Sequence, residues 1–397
     1  MKKLIGTAVL AALVATSAFA EISLGAWLRV VAAPVAGDGD DIYSGMTNSW
    51  GWGARTARLN ISGVSEDEKA GFSMGVYNDA AKGLQQGDDY VLWVKPWDWL
   101  KVSLGKWDYT TFRGDFCFGS WNWIRPENWL FPDEGLTFDQ LGAKSGMQLE
   151  ITPVDGLVLM WNLPMGAWIK GYDKDWADLY ADADADKKVG AKPWDKAYKM
   201  LENSEAAIKY TIGDIGTIKA GWGGSSERDG KDYRNYGNIN VAFDLTAVEN
   251  LYVTVGAKIG IADGDYKDLR NDYKFIKVAL GASYQILDNL GIAANFGVQT
   301  YEADDPSFQF GVGLNVGFTD TLSLNADFRG LIKGDSKGKS DGDSYFSFLV
   351  GLQYACSSNG YIGIGFQGST NGYGFLGGLT HKSDFAWAVP IAVSVWF

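Results

Sequence analysis

The last twelve residues, Ala386-Trp387-Ala388-Val389-Pro390-Ile391-Ala392-Val393-Ser394-Val395-Trp396-Phe397, alternate between large apolar side chains and side chains that are mostly small or polar. The apolar parity carries Trp387, Val389, Ile391, Val393, Val395 and Phe397. A period of two residues is that of a β-strand with one apolar face. Because a soluble sheet rarely leaves its last strand ending on an exposed aromatic residue, this segment favours a transmembrane β-barrel over a soluble β-edge.

The first twenty residues have the three parts of an export signal. Met1-Lys2-Lys3 is basic, residues 4–14 are apolar, and Ala18-Phe19-Ala20 has the small-x-small pattern of a cleavage site. We expect cleavage before Glu21, so that residues 1–20 are a signal peptide and residues 21–397 form the barrel. No later stretch reaches the roughly 18 uninterrupted apolar residues of a membrane helix, which leaves strands as the spanning elements.

Charge and composition exclude several classes of function. The chain has 35 Lys and Arg against 48 Asp and Glu, and loss of Lys2 and Lys3 gives 33 − 48 = −15, which argues against nucleic acid as a partner. The single histidine, His381, argues against a multi-His metal site and against an enzymatic barrel with a histidine base. Asp182-Ala183-Asp184 opens like a calcium loop, but Pro193 stands where the closing Glu should be, so we interpret it as a solvated charge run. We therefore expect no enzyme activity, no metal and no cofactor.

Period-two alternation along the chain predicts eighteen strands. The number is even, as in bacterial outer-membrane barrels, and merging the hairpin at 89–107 would leave sixteen. The predicted strands are 22–31, 52–63, 70–77, 89–95, 99–107, 142–152, 156–163, 204–213, 217–224, 237–246, 250–261, 273–286, 289–301, 307–318, 321–332, 344–356, 360–368 and 385–397.

The connections between these strands alternate in length. Short ones, such as Pro153 to Asp155, Leu287-Asp288 and Thr319-Asp320, are separated by connections that are mostly long. Outer-membrane barrels have short periplasmic turns and longer outer loops. The alternation therefore predicts that both termini lie in the periplasm.

The strand parity also predicts which charges face the lumen. In strand 307–318 one face is apolar, and the other carries Gln309, Asn315 and glycines, as expected for lipid on one side and water on the other. The predicted inward charges are mostly basic, which favours anion passage. Lys209 and Lys219 could instead snorkel from strand ends. The inward charges that we expect at the pore wall are Arg29, Arg58, Lys101, Lys258, Lys277, Asp327 and Arg329, with Lys209, Lys219, Glu150 and Asp244 on the same parity.

The third outer loop, residues 108–141, is the most aromatic one and is the main candidate site. Its candidate constriction residues are Arg113, Asp115, Trp121, Trp123, Arg125, Glu127, Asp133 and Glu134. With this loop, its charges and the terminal Phe397, the chain resembles the bacterial porins, and less closely the spirochaete major outer sheath proteins. The resemblance implies a passive outer-membrane channel for small hydrophilic solutes and ions, narrowed by an inward-folded third loop that faces a basic wall. It also implies a homotrimer embedded in outer-membrane lipid.

Other interpretations of the aromatic residues stay open. Trp121, Trp123 and Trp129 could pack the loop against the wall or stack on sugar rings, as in maltoporin-type facilitators. Trp93, Trp97 and Trp99 favour an interfacial belt over a ligand track. A surface adhesin, with the barrel as an anchor and a host matrix ligand on loops 108–141 and 164–203, is a third possibility.

Overall fold

The computed structural model describes residues 20–47, 55–79, 83–107, 144–164, 204–229, 232–262, 275–301, 305–334, 344–370 and 384–397. All strand pairings in these ranges are antiparallel. The same ranges contain no helix long and apolar enough to cross a membrane. The strand segments are β1 (Ala20–Asp38), β2 (Asp41–Thr47), β3 (Arg55–Ser65), β4 (Ala70–Asp79), β5 (Gly83–Trp97), β6 (Leu100–Trp107), β7 (Lys144–Val154), β8 (Leu157–Pro164), β9 (Glu205–Ile212), β10 (Gly216–Asp229), β11 (Asp232–Leu245), β12 (Leu251–Ala262), β13 (Phe275–Leu287), β14 (Leu290–Tyr301), β15 (Ser307–Gly317), β16 (Leu322–Ile332), β17 (Tyr345–Ser357), β18 (Gly360–Thr370) and β19 (Phe385–Trp396).

The strands close into a cylinder because β1 pairs along both of its edges. On one edge, residues 27–38 pair with β19. On the other edge, residues 20–28 pair with β3 and residues 31–38 with β2, so β2 and β3 share one position in the ring. The nineteen segments therefore make eighteen barrel strands, which confirms the predicted number and leaves no need for the sixteen-strand alternative.

The terminal strand closes the barrel, as its alternation predicted. Trp27 lies opposite Trp396 in the ladder. The Ala26 amide donates to the Phe397 carbonyl oxygen at 2.9 Å, and the Phe397 amide donates to the Ala26 carbonyl oxygen at 2.8 Å. Closure satisfies backbone groups that an open sheet would expose along its edge.

The strands are longer than predicted at one end of the barrel. β1 continues to Asp38 and turns back into β2 through Gly39 and Asp40, and Gly39 has a φ of 60°. The predicted strands 22–31 and 52–63 leave this region as a connection between them. A two-residue hairpin turn needs a positive φ, which glycine adopts without strain, so the ladder extends beyond the predicted strand end.

One short turn shows how side chains fix the opposite end of the barrel. The Ser65 hydroxyl donates to Asp67 Oδ1 at 2.6 Å, and the Lys69 and Ala70 amides donate to Ser65 Oγ at 3.2 and 3.0 Å. The Ser65 hydroxyl, followed by the Lys69 amide, holds the pKa of the Asp67 carboxyl below its usual value. We call the end with such turns the short-turn end, and the other the long-segment end.

Successive side chains point alternately out of and into the barrel. Large apolar residues on the outward parity are exposed, for example Leu28 at 51%, Ile364 at 51% and Val312 at 54%. Polar residues such as Gln309 and Asn325 lie on the inward parity and are buried. The barrel thus has an apolar outer face and a polar inner face, as the sequence predicted.

Candidate functional site: the inner wall of the barrel

The charged residues expected at the pore wall all lie on inward-facing positions. Their sequence neighbours Leu28, Leu59, Ile259, Ile276 and Phe328 are exposed apolar residues on the outer face. Since successive residues of a strand alternate between faces, the charged groups beside them point into the barrel. The inward charged residues are Arg29, Arg58, Lys101, Lys258, Lys277, Asp327 and Arg329.

Two of the predicted basic residues are neutralised by carboxylates on the same wall. Arg329 Nε donates to both Asp327 carboxylate oxygens at 2.8 and 3.0 Å, and both side chains are buried. Lys219 Nζ lies 2.5 Å from Asp244 Oδ2, and the Thr254 hydroxyl donates to Asp244 Oδ1 at 2.7 Å. Lys219 is therefore in a charge network of the wall, and neither it nor Arg329 adds a net positive charge.

Lys258 and Lys277 form a different arrangement, since they lie directly opposite each other on β12 and β13. Asn240 lies opposite Lys258 on one side, and Gln299 lies opposite Lys277 on the other. The Lys277 ammonium is also 5.2 Å from the Phe275 ring centroid. Like charges placed directly opposite destabilise a sheet, so this pair is a local cost to the fold.

The second group of cations lies in an aromatic cluster on β1, β3 and β4. The Arg58 Nη1 group donates to the Tyr77 hydroxyl at 2.8 Å, and its guanidinium carbon is 5.0 Å from the Tyr77 ring centroid. The Tyr77 ring meets the Trp27 ring at a centroid distance of 6.0 Å and an angle of 65°. The Arg29 guanidinium carbon is 4.9 Å from the Trp27 ring centroid. We call Trp27, Arg29, Arg58 and Tyr77 the arginine–aromatic cluster.

The arginine–aromatic cluster and the lysine pair face each other across the barrel. Counted along the ring from β1, β3 is the second strand, β12 the eleventh and β13 the twelfth. Arg58 and Lys258 are therefore nine positions apart in a ring of eighteen, which is half of the circumference. Each lies seven residues from the short-turn end of its strand, Ser65 and Leu251 respectively.

Lys101 lies in a third basic group of the wall, which is nearer the short-turn end than the other two groups. Its ammonium is 5.5 Å from the Trp93 ring centroid, and that of Lys95 is 5.4 Å from the same ring. Trp93 lies opposite Gly71, whose missing side chain leaves space for the indole. The assignment of Trp93 to an interfacial belt was therefore wrong, because its parity points inward.

The other two tryptophans of that group lie where a belt would be. Trp97 is the last residue of β5 and Trp99 lies in the turn before β6, at the short-turn end, and both are exposed. Their rings stack at a centroid distance of 5.5 Å and an interplanar angle of 8°. This position agrees with the predicted belt for these two residues.

Buried polar residues lie on the inner face toward both ends of the barrel. Gln148, Asn162 and Glu205 follow one another across β7, β8 and β9, and Asn162 and Glu205 are 0% and 2% exposed. Near the short-turn end, Asp244 and Thr254 are also buried, whereas the inward residues Thr211 and Asn315 are exposed.

Several predicted site residues lie outside the described residues. Those of the third loop are Arg113, Asp115, Trp121, Trp123, Arg125, Glu127, Asp133 and Glu134, and His381 and the 182–186 acidic run are outside as well. Within the described ranges, no group of three or more His, Cys, Asp or Glu residues is placed to hold a metal ion.

Trp27, Tyr77 and Gly75 are parts of the wall that were not predicted from the sequence. The signal was present, because each occupies the inward parity of its strand. The register that places Arg58 between Trp27 and Tyr77 could not be predicted, because it depends on how three strands, β1, β3 and β4, pair with one another.

A closed antiparallel barrel of eighteen strands with a polar inner face has the fold of the outer-membrane porins. The chain is similar to the anion-selective porin from Comamonas acidovorans, with 13% identity and a TM-score of 0.52 over 95% of this chain and 100% of the other. It is similar to OccK2 of Pseudomonas aeruginosa, solved in complex with glucuronate, with 10% identity and a TM-score of 0.55 over 95% and 98% of the two chains. It is also similar to the outer-membrane channel DcaP of Acinetobacter baumannii, with 10% identity and a TM-score of 0.52 over 96% and 98%. At these identities the likeness concerns the fold.

No protein-family model matches the sequence. No curated protein matches it either.

Proposed function

We propose that this protein is a passive, non-enzymatic diffusion channel of the outer membrane for small hydrophilic solutes and ions, with a modest preference for anions. The observation that carries the proposal is the placement of Arg29 and Arg58 on one inner wall and of Lys258 and Lys277 on the opposite wall. Fixed positive charge raises the local concentration of anions in a confined passage. The acidic outer connections repel anions, but charges in contact with bulk solvent are screened more strongly.

We also propose that residues 108–141 narrow the passage, with Asp115, Glu127, Asp133 and Glu134 facing the basic wall as the porin resemblance implies. The buried row of Gln148, Asn162 and Glu205 supports this, because it lies near the ends of β7, β8 and β9 at which residues 108–143 and 165–204 connect to the barrel. In this arrangement Arg113, Trp121, Trp123 and Arg125 would line or support the constriction.

The remaining parts of the proposal concern processing and assembly. Residues 1–20 are removed as a signal peptide, both termini lie in the periplasm, and three copies assemble through one barrel wall in outer-membrane lipid. The short turns at one end support the orientation, since periplasmic connections are the short ones in bacterial barrels. Heat-dependent gel mobility and chemical cross-linking test the barrel and the trimer.

The decisive experiment is single-channel recording of the purified protein in planar bilayers, with reversal potentials in a KCl gradient. We expect large conductance steps and a reversal potential of the sign for anions. Lys277→Gln removes one charge from the wall. It should lower the anion-to-cation ratio about sixfold, because one charge about 8 Å away in water changes the local concentration of each ion about 2.4-fold, in opposite directions for anions and cations. Lys69→Gln removes one charge from an exposed short-turn residue and is the matched control, with a much smaller expected shift.

Titration with maltooligosaccharides separates the alternatives. Block of the current by sugar that Trp121→Ala or Trp123→Ala abolishes would replace the general channel with a sugar-specific facilitator. A folded, heat-modifiable barrel without conductance would contradict both and leave the adhesin with a host matrix ligand.

A further inference from the structure

We propose that the outer face of β14 to β19 is the surface through which copies of this chain pack against one another in a threefold ring. This inference rests on the proposed function, which includes a trimer, and refines it by naming the wall and the strands that meet. The partner of this face is a second copy of the same chain.

Outward aromatic residues are concentrated on this third of the barrel, which we call the aromatic face. They lie six to eleven residues from the short-turn ends of their strands, and their side chains are exposed or half-buried. Across the described parts of the other strands, only Tyr90 and Trp222 are outward aromatic residues at this height. The aromatic residues of the face are Phe296, Phe308, Phe310, Phe328, Phe346, Phe348, Phe366, Phe385 and Trp387.

The type and the packing of these residues do not fit an interfacial belt. Eight of the nine are phenylalanines, which lack the polar tip that places Trp and Tyr at a membrane surface. Six of the rings form two clusters, in which neighbouring ring centroids lie 5.9 to 6.5 Å apart. The first cluster is Phe310, Phe328 and Phe346, and the second cluster is Phe348, Phe366 and Trp387.

Glycines on neighbouring strands let the rings lie flat on the sheet. Phe348 covers Gly368, where a Cβ atom would lie 2.6 Å from the ring, and Trp387 covers Gly37, where a Cβ atom would lie 2.5 Å from the indole nitrogen. The rings therefore form a smooth surface of fixed shape. Because lipid chains are as apolar as protein side chains, association in a membrane depends on close packing of such surfaces rather than on burial of apolar area.

The two clusters have the separation that a threefold ring requires. When three equal cylinders touch, the two contact lines on each cylinder are about 60° apart, which corresponds to three strands in a ring of eighteen. Phe310 on β15 and Phe366 on β18 are three strands apart. They also lie at similar heights, seven residues from Gly317 and six residues from Gly360 at the short-turn ends of their strands. The first cluster of one copy can therefore meet the second cluster of the next copy.

The aromatic face is large enough for these contacts. Six strands about 4.8 Å apart and an apolar band about 25 Å tall give each copy about 700 Å² to bury against its two neighbours together. This area is close to the roughly 800 Å² that one partner buries in a stable interface of standard size. Contacts between rings add to the association, because aromatic pairs gain more than their buried area alone provides.

The test is cross-linking in membranes, with the full-length protein in which Cys117 and Cys356 are replaced by serine. Val312→Cys on β15 with Ile364→Cys on β18 places thiols beside the two clusters without removing a ring, since both positions are exposed on the outer face. We expect a short bifunctional maleimide to give covalent dimers and trimers in this double variant. Neither single variant should give a product, because the contact joins unlike strands.

The matched control is Ile208→Cys on β9 with Val255→Cys on β12. These two residues are also exposed and three strands apart, at a similar height, but they lie outside the aromatic face. Phe310→Leu with Phe366→Leu, added to the first pair, keeps the face apolar and removes two rings. It should weaken association about tenfold, measured from the dependence of cross-linking on protein density in the membrane.

A folded barrel without cross-linked product in Val312→Cys with Ile364→Cys would overturn the inference, and so would equal product from the control pair or from a single variant. Unchanged association after replacement of Phe310 and Phe366 would overturn the role of the rings. Cross-linking does not require conduction, so a trimer without conductance would contradict the proposed channel alone, and a conducting monomer would contradict this inference alone. Heat-dependent gel mobility confirms that each variant is folded.

Discussion

Asp327→Asn should destabilise the barrel strongly, because it removes the carboxylate that neutralises a buried arginine. Asp327 and Arg329 are both about 4% exposed, and Arg329 Nε contacts both carboxylate oxygens. Charge centres about 4 Å apart interact by about 4 kcal/mol at an effective dielectric constant of about 20. An arginine cannot lose its proton, so removing one partner of such a pair costs about 3 to 5 kcal/mol.

The assay is urea unfolding of the folded barrel in detergent, followed by tryptophan fluorescence and gel mobility. The double variant Asp327→Asn with Arg329→Gln removes both charges and should stay within about 1 kcal/mol of the original protein, since a buried ion pair hardly exceeds the cost of its own desolvation. Asp244→Asn is the comparison. It should lower the free energy of unfolding by about half as much as Asp327→Asn, because the Lys219 ammonium can move toward water on its flexible side chain. A loss below about 1 kcal/mol for Asp327→Asn, or an equal loss in the double variant, would refute this reasoning.

Three further predictions concern single positions. Thr254→Val removes the hydrogen bond donated to Asp244 and should lower the free energy of unfolding by about 1.5 to 3 kcal/mol in the same urea assay. Gly105→Ala should impair folding in a gel-mobility refolding assay, because φ is +135° there and a Cβ would lie 2.1 Å from the Tyr90 carbonyl oxygen. The pKa of Asp67, measured by NMR, should lie below its usual value, and Ser65→Ala should raise it back toward that value. Since the folded state lowers this pKa, the stability that Asp67 contributes is present above about pH 4 and falls as the pH drops through the lowered pKa.

Most of the fold could be predicted because a barrel strand is encoded locally. The alternation in 386–397 and in 307–318 depends only on neighbouring residues, and the short turns between strands have their own turn chemistry. Residues 32–47 were missed for a related reason. They do not continue the alternation of apolar and polar residues, and their hairpin is held by the pairing of β2 with the end of β1 rather than by an apolar face.

The candidate site was less predictable, because parity gives the direction of a side chain and not its partners. The inward position of Arg329 followed from parity, but its neutralisation by Asp327 depends on rotamers of two residues on one strand face. The place of Arg58 between Trp27 and Tyr77 depends on the register of three strands. Trp93 was assigned to an interfacial belt because it lies near a predicted short turn, although its parity relative to Leu92, which is 66% exposed, places it inside.

The ion pairs of the wall decide where positive charge can act on a solute. Arg329 is neutralised by Asp327 and Lys219 by Asp244, so these groups rigidify the wall without giving it net charge. Lys258 and Lys277 lie directly opposite each other in the ladder, and like charges in this arrangement lower the stability of a sheet. Features that lower stability are expected mainly at functional sites. The lysine pair and Arg58 on the opposite wall are therefore the positions at which substitutions should alter selectivity, whereas substitutions at Arg329 or Lys219 should mainly alter stability.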